Sequence, residues 1–213
     1  MTSVPFRRLC GPAALDDDSA ELERLLAEVR GCRLCAAHLP LGPRPIVQIG
    51  RGARLLIASQ APGRRAHLSG VPFDDRSGEV LRGWLGLDRA SFYDPERVAI
   101  LPTGFCYPGR GRGGDLPPRP ECAPRWHAGL LAAMPELRVT LLIGRHAQAH
   151  HLGARARPTL TATVRAFADY LPAIFPLPHP SPRNGPWLLG NPWFERAVLP
   201  ALRMEAARAL APQ

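Results

Sequence analysis

The sequence predicts an α/β fold, a parallel or mixed sheet covered on both faces by helices. Three observations carry this. Short apolar runs of strand length recur along the 213 residues. Segments with apolar residues at helical spacing separate them. Such alternation buries a sheet between helical layers. With 46% apolar and 21% charged residues the composition is that of a globular chain. No internal repeat or linker interrupts it, so residues 19–213 read as a single domain after an irregular arm over 1–18.

The elements follow in order. Residues 19–30 (SAELERLLAEVR) place apolar side chains at helical spacing, with Ser19 as cap. After a Pro/Gly-rich bend, Ile46–Ile49 and Arg54–Ser59 are expected as strands, the second holding the apolar run Leu55-Leu56-Ile57-Ala58. A glycine-punctuated loop is expected from Pro62 to Arg76, and Ser77 should cap a helix containing Val80, Leu81, Trp84 and Leu85. Val98–Leu101, Val139–Ile143 and Ile174–Leu177 are further strands, with a helix from Arg145 between the last two. One long helix, Asn191 to Leu210, closes the chain.

Charge narrows the functional classes. The 27 basic and 18 acidic residues give a net charge of +9, and all 27 basic residues are arginine. A basic excess of this size suits a polyanionic partner such as nucleic acid. The lack of lysine removes Schiff-base catalysis, a phosphate-loop lysine and a lysine-type DNA lyase. No apolar run approaches the roughly 18–20 residues of a membrane span, and Met1–Arg8 lacks a following apolar stretch of the signal-peptide kind. The expected compartment is the cytoplasm, where five cysteines are not read as structural disulfides.

Four of those cysteines form a pattern. Cys32 and Cys35 make a C-x-x-C after the first helix, and Cys106 and Cys122 follow, separated by a Gly/Pro/Arg-rich stretch. The short gap lets two thiolates face one centre, and the flexible stretch lets the other pair converge on it. Iron–sulfur, zinc and unliganded thiols all satisfy this spacing. Cys10 stands apart. Three loops lie where a parallel sheet holds its ligands, beyond strand carboxyl ends: Ser59–Gly63, Ser69–Asp75 and His179–Asn184.

Taken together, these motifs resemble the uracil-DNA glycosylase superfamily, and within it the iron–sulfur branch called family 4. That branch orders a C-x-x-C, a G-E-x-P-G-like motif, a G-R-P-F stretch, a C-x15-C pair and an H-P-[AS] motif. Here Cys32/Cys35, Gln60–Gly63, Gly70–Phe73, Cys106/Cys122 and His179–Ser181 follow in the same order. The resemblance covers about residues 20 to 210 and implies a three-layer αβα sandwich with a short, mostly parallel central sheet. It implies a 4Fe–4S cluster on Cys32, Cys35, Cys106 and Cys122, with zinc as the alternative. It also implies a monofunctional glycosylase that extrudes a damaged nucleotide from DNA and hydrolyses its N-glycosidic bond. In that reading Gln60, Ala61, Pro62 and Gly63 lie against the nucleotide, Phe73 stacks on the base, and His179 approaches its O2 carbonyl, where negative charge develops. Ser181, Arg183 and Asn184 clamp phosphate or fill the vacated stack, with Arg64, Arg110 and Arg112 as further DNA contacts. A monomer associated with the nucleoid is expected.

The departures from the family pattern matter equally. The acid of the first motif is Gln60, and the family's base-reading asparagine is replaced by Pro102, leaving Thr103 as the neighbouring polar contact. Asp74 and Asp75 are extra carboxylates; Asp75 is a candidate to orient the attacking water, and the plain alternative is helix capping or arginine pairing. These departures motivate a second reading, a catalytically silent nucleic-acid-binding protein on the same scaffold. His146, His150 and His151 sit at i, i+4 and i+5 of the expected helix, a spacing that admits a zinc pair, but without an H-E-x-x-H glutamate they read as surface or core histidines. Trp187 and Trp193 read as packing for the last helix.

Overall fold

The computed structural model describes residues 12–212, so Cys10 and the expected arm as far as residue 11 lie outside it. From Pro12 the chain is already helical: α1 spans Pro12–Gly31 rather than starting at Ser19. Proline is tolerated in a first helical turn, where its missing N–H costs nothing. Then come β1 (Leu55–Ala58), α2 (Arg64–Ser69), α3 (Arg76–Leu85), α4 (Arg89–Phe92) and β2 (Val98–Ile100). A small hairpin, β3 (Arg110–Gly111) and β4 (Gly114–Asp115), precedes α5 (Cys122–Ala132). Next are β5 (Val139–Ile143), α6 (Gly144–Leu152), α7 (Leu160–Arg165), β6 (Ile174–Leu177), α8 (Gly185–Gly190) and α9 (Leu199–Leu210).

The central sheet has the order β2-β1-β5-β6, with all pairs parallel. Its side chains alternate between two layers, as the pleat requires. Leu55, Ile57, Ile100, Leu141, Ile143 and Phe175 pack with α3 and α9 through Leu81, Trp84 and Leu202. Leu56, Ala99 and Leu101 pack on the other face with Leu22, Leu26 and Val29 of α1 and with Trp126 and Leu130 of α5. Ala147 and Leu152 of α6 cover Ala58 and Leu142 on that second face. The expected three-layer sandwich is present, and its strand order reverses direction between β1 and β5. In an open parallel sheet that switch point opens a crevice beyond the strand carboxyl ends.

Four local expectations need correction. Ile46–Ile49 is not a strand: it makes one antiparallel bridge, Gln48 to Ile100, and its Gln48 Nε2 donates to the Phe92 and Val98 carbonyls. It therefore covers the outer edge of β2 rather than extending the sheet. The 62–76 loop contains α2, closed by Gly70 at φ 80°. The cap of α3 is Asp75, not Ser77; Asp75 Oδ1 accepts from the Gly78 N–H at 3.0 Å. The final helix is not continuous from Asn191. α8 stops before Asn191, and Phe194–Val198 forms a π-helical turn leading into α9. Pro200, which has no N–H to offer the Arg196 carbonyl, accounts for the wider turn.

Candidate active site

A cavity of about 610 Å³ opens at the switch point, and the exits of all four central strands line it. Ser59 and Gln60 follow β1, Pro102 follows β2, Arg145 follows β5 and His179 follows β6. The first two exits are stitched together. Thr103 N–H and Oγ1–H both donate to the Ser59 carbonyl, at 2.8 and 2.9 Å, and Gly104 N–H donates to the Gln60 carbonyl. Thr103, expected as a base contact, thus spends its hydroxyl on the scaffold, and Pro102 stands in the wall instead. Gln60, Ala61, Pro62 and Gly63 all line the cavity. The Gln60 amide donates to the Leu116 carbonyl at 2.7 Å, which fixes this side chain against the hairpin segment.

Phe73 reaches the cavity from a strained position. Its φ of 54° lies in the left-handed region, which bulky side chains rarely enter. The surroundings hold it there. The Tyr93 hydroxyl is shared between the Pro72 and Phe73 carbonyls at 3.0 and 3.2 Å, and Phe92 meets the Phe73 ring edge-on at 6.3 Å. A Cβ at Gly78 would fall 1.8 Å from the Phe73 carbonyl oxygen, so only glycine fits under this turn.

The two aspartates behind Phe73 part company. Asp74 pairs with Arg89 at 3.3 Å, and Arg89 lies over the Tyr93 ring. Asp75 uses Oδ1 as the α3 cap, while Oδ2 points at Gly63, 3.7 Å from where a Cβ there would sit. Asp115 Oδ2 approaches the same point at 3.6 Å. Asp115 escaped sequence reasoning, although Gly111-Arg112-Gly113-Gly114 is a two-residue hairpin signal that could have found its turn. Loss of solvent pushes the Asp115 carboxyl above the usual range, with the Arg183 and Arg110 charges pulling it down.

His179 sits in the last strand exit, against Gly144, whose φ of 77° and open Cα face admit the ring. Asn184 Nδ2 donates to the His179 carbonyl at 2.6 Å, and Ser181 Oγ accepts from Arg183 N–H to cap the turn between them. Burial lowers the His179 pKa, and the Asp75 charge pulls it up by less. Its imidazole is therefore neutral near pH 7, with one ring N–H to donate. Ser181, Arg183 and Asn184, expected as DNA contacts, line the cavity, and Asn184 is committed to bracing His179. Arg64, Arg110 and Arg112 are exposed and outside the cavity lining.

The end of α1, the loop after β2 and the start of α5 gather Cys32, Cys35, Cys106 and Cys122. Cys35 and Cys106 pack together with Leu39, and Cys122 Sγ accepts from the Phe105 N–H at 3.4 Å. Burial pushes the Cys106 thiol up to about 11 and the Cys122 thiol up to about 12, and the charges of the neighbouring cysteines add to this. Among the described residues, the group of three ligand atoms within 4.8 Å of one another is His127, His150 and His151, not a set of cysteines.

Residues 47–203 match the family model of the uracil DNA glycosylase superfamily, well over half of the chain. The chain belongs to that superfamily. A solution NMR structure of a candidate uracil DNA glycosylase from Methanosarcina acetivorans shares 14% identity, covers 76% of this chain and 97% of that chain, and gives a TM-score of 0.45. The family match runs from before β1 into α9 and includes every cavity residue named above, whereas Cys32 and Cys35 precede it. At superfamily level the protein is a glycosylase-type hydrolase whose substrate is DNA. No helix among the described residues is long and apolar enough to cross a membrane.

Proposed function

We propose that this superfamily member hydrolyses the N-glycosidic bond of uracil or another deaminated base in DNA and leaves an abasic site. The observation that carries the reading is the meeting of Phe73, the neutral His179 and the free Asp75 oxygen around one nucleotide-sized cavity. Bases are buried in duplex DNA, so the target must be extruded, and a rigid aromatic ring offers the flipped base a stacking surface. As the C1′–N1 bond breaks, the bonding pair stays with the base and negative charge collects at O2, which accepts a hydrogen bond from the His179 N–H. Positive charge develops on the sugar, and the Asp75 carboxylate opposes it and orients the attacking water. Gln60 cannot take this task, because it is not a base and its amide is held by Leu116. Arg183, with Arg64, Arg110 and Arg112 on the surface, faces the phosphates. Leu189 of α8, 85% exposed, is an apolar wedge for the vacated stack. With no lysine in the chain, no lysine Schiff base forms, and the product is an intact strand with an abasic site.

The four cysteines suit a 4Fe–4S cluster, with zinc as the alternative: Cys35, Cys106 and Cys122 are buried, and a backbone N–H donates to the Cys122 sulfur. The cluster would serve as a structural anchor, since hydrolysis transfers no electron. Cys106 and Cys122 bracket the hairpin that carries Asp115, so holding both ends steadies that side of the cavity.

Two tests follow. The oligonucleotide panel is uracil, hypoxanthine and xanthine, each in single and double strands, with alkali to cut at abasic sites. Pro102 offers no amide to a base edge, so uracil and at least one purine are expected as substrates; no cleavage of any substrate by the cluster-loaded protein refutes the enzymatic claim. Asp75→Asn separates the two oxygens. Asparagine caps a helix as well as aspartate, so Tm should stay within a few degrees while kcat falls by roughly 10²-fold. Equal activity of the variant would confine Asp75 to capping.

A further inference from the structure

A second group of side chains lies behind the Pro102 wall, outside the cavity lining. On α5, His127 meets His150 and His151 from the last turn of α6, with ring centroids 4.9 and 5.9 Å from its own. One nitrogen from each of the three lies within 4.8 Å of the others. The tautomer of His127 follows from its partner. Its Nε2 sits 3.0 Å from the Pro102 carbonyl, which can only accept, so Nε2 carries the proton and Nδ1 is left as a bare lone pair. That Nδ1 is buried without a hydrogen-bond partner, in a residue only 4% exposed, and the buried Nε2 of His151 has none either. Two orphaned ring nitrogens in one place call for a ligand.

We propose that His127, His150 and His151 bind a divalent transition-metal ion of the zinc class, with the fourth position open to solvent beside the exposed His150. A metal-binding histidine ordinarily donates its other ring N–H to a carbonyl, which orients the ring, and His127 already does so. Phe105 stacks on the His127 ring at 5.7 Å, with its plane tilted by only 8°, which holds that ring in place. Burial keeps His127 and His151 neutral at pH 7, the form that coordinates. Simple packing explains the ring contacts but not two buried, unpaired nitrogens in rings that meet a third histidine. Because His127 holds the Pro102 carbonyl, an ion here also stiffens the cavity wall. The proposal does not depend on the glycosylase reading.

Cluster-loaded protein titrated with Co²⁺ and with Zn²⁺ tests it. The expected result is one added equivalent with visible ligand-field bands and no thiolate charge-transfer band, together with a Zn²⁺-dependent rise in Tm. His150→Ala changes an exposed side chain, so it should fold normally, weaken binding at least about tenfold and abolish the Tm rise. His151→Gln should do the same. No added equivalent, binding unaffected by His150→Ala, or a spectrum dominated by thiolate bands overturns the proposal.

Discussion

Replacing His179 by alanine is expected to lower kcat for base release by roughly 10²- to 10³-fold, the scale of losing one donor aimed at developing negative charge. The cause is specific. Burial holds the ring neutral, Gly144 leaves room for it, and Asn184 fixes the backbone carbonyl of the same residue. A ring placed in this way meets more charge in the transition state than in the bound nucleotide. Loss should therefore appear in kcat, with KM nearly unchanged. Binding of uracil-containing DNA by His179→Ala should match the parent protein in a fluorescence-anisotropy titration. A variant whose defect lies wholly in KM would make His179 a binding residue only.

With the proposed 4Fe–4S cluster on the four cysteines, Cys122→Ser is expected to remove a brown absorbance near 400 nm and to lower Tm on the order of 10 °C, since one kcal/mol is worth about 2–4 °C at this chain length and structural metal sites supply several. Serine preserves the shape and can still accept from the Phe105 N–H. A thiol that merely packed would thus cost only about 1–3 kcal/mol on substitution, with no change of colour. Activity should fall with the cluster, because Cys106 and Cys122 bracket the hairpin bearing Asp115, and Leu116 of that segment holds Gln60. Absorption spectra and thermal unfolding of the two proteins separate these outcomes.

The strands behind these residues were legible because a parallel sheet buried on both faces needs near-continuous apolar runs. Leu55–Ala58, Val139–Ile143 and Ile174–Leu177 therefore stand out, and the loops directly beyond the first and the last line the cavity. The Ser69–Asp75 loop follows helix α2 rather than a strand and reaches the same cavity through Phe73 and Asp75. Side-chain direction was not legible. Thr103 and Pro102 are neighbours, yet one stitches two strand exits and the other forms the wall. Ser77 and Asp75 were equally plausible caps until the turn at Phe73 set the register. Asp115 and the His127 group depend on contacts between segments far apart in sequence. His127 lies on a different helix from His150 and His151, so spacing along one helix could not reveal the trio.

The central claim is that this cavity removes a base and leaves the strand whole. Its most direct measurement is mass spectrometry of a single-turnover reaction on uracil-containing DNA, read for both products. Free uracil equimolar with an uncut strand bearing an abasic site is the expected result, together with roughly 10²-fold less of both from His179→Ala. Tight, salt-sensitive DNA binding with no released uracil, hypoxanthine or xanthine contradicts it and leaves a nucleic-acid-binding protein on a glycosylase scaffold.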